Sequence, residues 1–155
     1  MPKYAAAGAL VSWLLATGAG YAQTPNPLAA IKTLKCTFPI SASGTWKDGQ
    51  PTALIKSGPV MAFQYTDIDT AESTANVVGL ASSGHVVAQL FGSNLHFLEM
   101  RSTGSLMLTT VFNQETSPRK LKAVYTRADY LAISIPGFTN SPEVSQHYGE
   151  CEIAQ

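Results

Sequence analysis

The stretch TANVVGLASSGHVVAQLFGSNLHFLEMRSTGSLMLTTVF, residues 74–112, decides the fold class of this chain. It holds four apolar runs of seven or eight residues. Between them lie three groups of turn residues, each with a glycine: Ser82-Ser83-Gly84, Gly92-Ser93-Asn94 and Ser102-Thr103-Gly104. Runs of this length between glycine-containing turns predict consecutive antiparallel hairpins.

The flanking sequence extends this pattern in both directions. Segments 60–69, 121–128, 130–135 and 147–153 have strand character, and one short helical turn is expected near 28–33. About eight to ten strands result. Because closure removes exposed sheet edges, we expect a mainly β fold in which an antiparallel meander closes into a small β-barrel. A two-sheet β-sandwich is the alternative.

Two cysteines, Cys36 and Cys151, lie near opposite ends of the chain. No Cys-x-x-Cys motif is present, and two cysteines do not complete a zinc site. We therefore predict a structural disulfide. If the two strands are adjacent, Lys35 should face Glu150 or Glu152.

The first residues have the pattern of a signal peptide. Lys3 precedes the apolar run 5–16, and Gly20 and Ala22 suit a cleavage site before Gln23. The run is shorter than the roughly 20 apolar residues of a membrane helix. We expect a signal peptide over 1–22, one barrel-like domain over 23–155, periplasmic or secreted export, and no stable membrane span after cleavage.

Charge and motifs restrict the function classes. Ten basic and ten acidic side chains give no net charge. Because no basic run stands out, a nucleic-acid partner is not expected. No nucleophile motif or cofactor motif is present, so we predict no catalytic residue and no cofactor.

Residues of the metal-binding types are spread along the chain. His85, His96 and His147 share no short spacing, so we expect no metal site from them. The segment TDIDTAES carries Asp67, Asp69 and Glu72 but lacks the glycine of a calcium loop, and is expected to form a hairpin turn.

Alternation along the strands predicts an apolar barrel lining. We assign to the interior Val86, Ala88, Leu90, His96, Leu98, Met100, Leu106, Leu108, Thr110 and Phe112. The opposite faces also carry apolar residues. Val87, Phe91 and Leu95 could therefore form an exterior patch that binds a protein partner.

The tripeptide Gly44-Thr45-Trp46 resembles the Gly-x-Trp of the first strand in lipocalins and avidins, which are ligand-binding β-barrels. The resemblance implies a tryptophan that closes one barrel end, with an arginine from a late strand over it. Arg127 is the only candidate for this arginine. A separate strand with Cys36 is expected to precede the tryptophan strand. The alternative is a tryptophan beside a tight turn.

A second resemblance covers the C-terminal third of the chain, in runs 108–112, 120–130 and 145–152. These runs resemble uncharacterised small exported bacterial β-proteins. The resemblance implies no catalytic residue.

A non-catalytic function therefore fits the sequence best. We expect a small apolar or amphipathic ligand in the barrel mouth, because ligand pockets are mostly aromatic and apolar. The predicted ligand-binding residues are Trp46, Phe63, Tyr65, Phe97, Met100 and Tyr125. The same side chains could instead fill a solid core. The alternative function is a structural or protein-interaction module that uses the exterior patch. A third is a hydrolase or metal-dependent enzyme whose site is assembled from histidine and carboxylate side chains.

Overall fold

The computed structural model describes residues 26–79, 82–129 and 142–154. A 3-10 turn, Pro27–Ala30, is followed by eight strands: β1 Leu34–Lys47, β2 Gln50–Asp69, β3 Thr74–Gly79, β4 Ser82–Phe91, β5 Asn94–Met100, β6 Leu106–Ser117, β7 Lys120–Asp129 and β8 Glu143–Ile153. Each strand pairs antiparallel with the next, and β8 pairs with β1. The sheet therefore closes in a ring, as the meander pattern predicted.

The strand boundaries differ from the predicted ones in several places. Ser82 and Ser83 lie in β4, where they pair with Gly79 and Val78, so their assignment to a turn was wrong. The turn at 102–104 is confirmed. The predicted strand 130–135 and signal peptide 1–22 lie outside the described residues.

The disulfide joins the first and last strands of the ring. Cys36 lies directly opposite Cys151, with their Cα atoms 4.0 Å apart, and the two are bonded. The register also places Lys35 opposite Glu152, as predicted. A buried disulfide of this kind fits an oxidising compartment.

The 3-10 turn closes one end of the ring. Asn26 caps the start of this turn, because its Oδ1 accepts a hydrogen bond from the Leu28 N–H. Its Nδ2 donates to the Gly92 carbonyl, which ties the turn to the connection between β4 and β5. Leu28 and Ile31 are buried and belong to the apolar core. We call this the closed end; the opposite end is the mouth.

The predicted faces of β5 and β6 were reversed. Leu95, Phe97, Met107, Thr109 and Val111 are buried inside the ring. The side chains predicted to be inside are on the outer face: His96, Leu98, Met100, Leu106, Leu108, Thr110 and Phe112. The cause is the connection after β4: Phe91 pairs with Asn94, leaving a two-residue turn rather than the expected three. Since Ala88 is inside and lies opposite Phe97, Phe97 is inside as well.

A bulge divides β1 into two parts. The register with β8 shifts between Thr37 and Ile40, at Pro39, and the register with β2 shifts at the same level. Gly149 of β8 lies against this bulge, where an added Cβ would overlap the Thr37 carbonyl oxygen and come 2.8 Å from the Phe38 Cα. The glycine therefore permits the close approach of two backbones.

Beyond the bulge, β1 and β2 continue as a hairpin that extends past the end of β3. We call this hairpin, residues 40–57, the projecting hairpin; its turn is Asp48-Gly49, both with positive φ. None of its residues is buried. In the described part of the chain, no helix is long and apolar enough to cross a membrane.

Candidate functional site

The mouth leads into a small cavity whose walls come from six strands, β2 to β7. Its volume is about 40 Å³, and its lining is mainly apolar with a charged rim. The lining residues are Met61, Phe63, Tyr65, Val77, Gly79, Val86, Phe97, Glu99, Arg101, Met107, Thr109, Tyr125 and Arg127. Since one water needs about 10–15 Å³ on this measure, the space is large enough for about three or four waters.

Four aromatic side chains form the floor of the mouth, and we call them the aromatic floor: Phe63, Tyr65, Phe97 and Tyr125. Tyr65 and Phe97 stack in parallel with ring centroids 3.7 Å apart. Phe63 contacts both tyrosine rings edge-on, with each centroid separation 5.4 Å. Aromatic contacts of this kind hold ring orientation as well as burying apolar area.

The two tyrosine hydroxyls differ in their surroundings. The Tyr65 hydroxyl lies 2.6 Å from the Thr109 Oγ1, inside the barrel. Burial raises the pKa of Tyr65 far above its usual value, and the bond to Thr109 only partly opposes this shift. Burial also raises the pKa of Tyr125, which is half-buried and closer to the opening. Both tyrosines are therefore neutral and rigidly placed around neutral pH.

Charged side chains surround the aromatic floor. Arg101 Nε lies 2.9 Å from Glu99 Oε1 on β5. Arg127 and Asp129 form a second ion pair on β7. In each pair the two residues are two apart in sequence and lie on one face of the sheet. Glu99, Arg101 and Arg127 line the cavity, so this face is the interior one. The rim thus offers both charge signs within reach of one bound molecule.

His147 completes the rim on β8. Its ring lies 5.6 Å from the Tyr125 ring, centroid to centroid. Burial, and then the Arg127 charge, lower the pKa of His147 below its usual value. The imidazole is therefore neutral at pH 7 and presents one donor and one acceptor nitrogen.

The structure brings together four of the six predicted ligand-binding residues. Phe63, Tyr65, Phe97 and Tyr125 form the aromatic floor, whereas Trp46 and Met100 lie outside it, 50% and 76% exposed. Met100 is on the outer face of β5, and Trp46 is in the projecting hairpin. The charged rim was not predicted as a site. The sequence feature that indicates the rim is a pair of opposite charges two residues apart at the end of an apolar strand. Glu99 with Arg101 is one such pair, and Arg127 with Asp129 is the other.

The Gly-x-Trp tripeptide does not occupy a barrel end. Cys36 and Trp46 lie on the same strand, β1, so the expectation of a separate preceding strand was wrong. Leu28 and Ile31 fill the closed end instead. Arg127 lies in the mouth lining, and Trp46 does not.

The remaining polar candidates are engaged locally. His85 is exposed, and His96 Nδ1 lies 3.1 Å from Thr110 Oγ1 on the outer face. Asp69 Oδ1 accepts hydrogen bonds from the backbone amides of Ala71 and Glu72, which makes the predicted hairpin turn. No group of three His, Cys, Asp or Glu side chains that could hold a metal ion occurs among the described residues.

A second concave surface lies on the outside of the barrel, over β4, β5 and β6. We call it the outer groove; its volume is about 300 Å³ and its lining is Val87, Gln89, Phe91, His96, Leu98 and Leu108. Phe91 is 78% exposed, whereas Leu95 is fully buried. The placement of Leu95 in an exterior patch was therefore wrong, and that of Val87 and Phe91 was correct.

Fold and site together define a small, disulfide-linked meander barrel with one closed end and an aromatic mouth. No family model matches the chain, and neither a curated protein nor a solved structure is significantly similar to it.

Proposed function

We propose that this protein binds a small amphipathic molecule at the barrel mouth and does not catalyse a reaction. The aromatic floor carries the proposal: four rings from three strands meet at the base of an open concave surface. Concave apolar surfaces with a few convergent polar groups are the usual form of small-molecule sites.

The dimensions of the mouth restrict the ligand. Enclosed pockets for drug-sized ligands measure roughly 300–1,000 Å³, and the cavity here is about 40 Å³. A ligand therefore rests on the aromatic floor with only a narrow apolar end inserted. Its polar end lies at the rim, where Arg101, Arg127 and the neutral His147 provide hydrogen-bond donors.

Export is part of the proposal. The apolar run 5–16, with Gly20 and Ala22 after it, has the composition of a cleaved signal. The Cys36–Cys151 disulfide supports this, because such bonds persist in oxidising compartments. We place the protein in the periplasm or outside the cell, without a nucleic-acid partner.

The first experiment is native mass spectrometry of protein purified from a bacterial periplasm without denaturation. An added mass that is lost on unfolding would identify a bound ligand. The second is a fluorescence titration with 1-anilinonaphthalene-8-sulfonate, an amphipathic anion that brightens on apolar surfaces. We expect saturable binding by the wild-type protein.

Two matched variants locate the dye. Phe63→Ala removes a ring from the aromatic floor, and Phe91→Ala removes an exposed ring from the outer groove. Binding at the mouth is weakened about tenfold or more by Phe63→Ala, and is unchanged by Phe91→Ala. The reverse result, or no saturable binding together with a bare protein mass, overturns the proposal.

The outer groove favours a second function, a protein-interaction module. It is wider than the mouth cavity, and the exposed Phe91 ring is the type of residue that dominates protein interfaces. Loss of dye binding in Phe91→Ala alone is the result that supports this function.

A further inference from the structure

Among the described residues, the first half of strand β2 pairs with a neighbouring strand on one side only. Residues 50–57 pair with β1, but β3 ends at Gly79, which lies opposite Phe63. Among the described residues, nothing pairs with the other edge of Gln50–Val60. This free edge, residues 50–60, lies beside the space beyond the end of β3.

The turn determines which amides face the free edge. Asp48 and Gly49 have φ of 52° and 74°, typical of the two-residue turn that makes Lys47 and Gln50 a hydrogen-bonded pair. Hydrogen-bonded and non-hydrogen-bonded pairs then alternate along the hairpin. The amides of Thr52, Leu54 and Lys56 therefore face β1, whereas those of Ala53, Ile55 and Ser57 face outward.

Prolines bracket these three outward amides. Pro51 and Pro59 have no N–H to donate, so the outward hydrogen-bonding segment is 53–57, centred on Ile55. A segment with this symmetry is complementary to itself. Antiparallel pairing about a two-fold axis at Ile55 would match Ala53 with Ser57 and would place proline opposite proline. All six outward amides of the two copies would be paired.

We propose that the free edge binds a second copy of this chain, giving a two-fold symmetric dimer through β2. The hairpin of the second copy lies beside β2 beyond Gly79, where none of the described residues pairs with this edge. Because the strands run antiparallel, the two barrels lie toward opposite ends of the joint sheet.

Side chains on the free edge agree with this pairing. Ile55 is 77% exposed, and the two-fold axis brings it against Ile55 of the second copy. The pairing places Lys56 opposite Leu54 of the second copy, so that the two lysines are not directly opposed. Ala42, which lies beside Ile55 on β1, extends the apolar contact.

Oligomeric state tests the proposal directly. Light scattering behind size-exclusion chromatography should give a dimer mass at high concentration and a monomer mass on dilution. Ile55→Pro removes one outward amide from each copy without removing a bond to β1. It should raise the dimer dissociation constant about tenfold or more. Ile55→Val keeps the amide and should leave the constant within about twofold.

Cysteine cross-linking tests the register. Only a residue on the two-fold axis meets its own copy, so Ile55→Cys should form a disulfide-linked dimer on mild oxidation and Ser57→Cys should not. A monomer mass at all concentrations overturns the proposal. Equal cross-linking at both positions overturns it too, and so does slow amide exchange of 53–57 in the diluted monomer.

Discussion

The two halves of β1 have the same number of neighbouring strands, but only the first half has buried side chains. From Leu34 to Phe38 the side chains alternate between buried and exposed, whereas from Ile40 to Lys47 none is buried. Both halves pair with β2 on one side and β8 on the other. Strand pairing alone therefore does not bury a side chain here; the opposite wall of the ring does.

The boundary between the halves has a structural cause. Pro39 lies in the bulge of β1, and Gly58-Pro59 lies at the same level of β2. Proline in a sheet is confined to edges and bulges because it lacks a donor. The barrel half below this boundary holds the core. The projecting hairpin above it is free to present edges and side chains to a partner.

The largest expected effect is that of Gly149→Ala, at the boundary itself. The new Cβ would overlap the backbone of β1, which no side-chain rotation can relieve. We expect a loss of about 5 kcal/mol or more in the free energy of unfolding, or failure to fold. Chemical denaturation, or the soluble yield, measures the effect.

Gly44→Ala is the matched control in the projecting hairpin. A Cβ at Gly44 meets nothing closer than 3.9 Å. This variant should change stability by less than about 0.5 kcal/mol. Equal effects of the two variants would show that the bulge does not depend on glycine.

The next effect is that of the double variant Cys36→Ala with Cys151→Ala. The bond closes a loop with a sequence separation of 115. In the chain-entropy model its removal costs about 4–5 kcal/mol. Thermal unfolding of the double variant should match that of the reduced wild-type protein. If the double variant were as stable as the oxidised wild-type protein, the disulfide would not contribute to the stability of the barrel half.

A leucine pair compares the two halves with the same substitution. Leu95→Ala removes a fully buried side chain from the core and should cost about 2–5 kcal/mol. Leu54→Ala, in the projecting hairpin, removes a half-exposed side chain and, at protein concentrations where the chain is monomeric, should cost less than about 0.5 kcal/mol. Urea denaturation of both variants gives the difference. A cost for Leu54 near that for Leu95 would mean that the hairpin is covered in solution.

Sequence patterns were sufficient for the fold but not for its inner face. Glycine turns and short apolar runs predicted the antiparallel meander, and the two cysteines predicted the contact that closes it. The strands β5 and β6 are apolar on both faces, so alternation could not orient them. The length of the turn at Gly92-Ser93 does determine which face is inside, because a two-residue connection places Leu90 opposite Leu95.

The aromatic floor was partly predictable for a similar reason. Phe63, Tyr65, Phe97 and Tyr125 were selected by type, and all four converge. Trp46 was selected by type as well, but residue type says nothing about the bulge at Pro39, beyond which no side chain of β1 is buried. The ion pairs of the rim depend on which strand ends meet at the mouth, a property of the closed ring.

The smallest expected effect concerns His147, which lies above the boundary but faces the mouth. Burial and the Arg127 charge lower the pKa of its imidazole, so the folded protein binds the proton less tightly than the unfolded chain does. The neutral form is thus favoured by folding. Its contribution to stability is present above the unfolded pKa of about 6.5, begins to be lost as the pH falls below that value, and is gone once the pH has fallen through the lower pKa of the folded protein.

His147→Gln should therefore lose less stability than the wild-type protein between pH 7 and pH 5. Urea denaturation at several pH values measures the two curves. Because the imidazole is only partly buried, the difference should be small. Arg127→Gln, which leaves the imidazole in place but removes the nearby charge, should lie between them. If the stability of His147→Gln changed with pH as that of the wild-type protein does, the imidazole would be as well solvated as a histidine on the outer surface. The mouth would then resemble the exposed hairpin more than the barrel half.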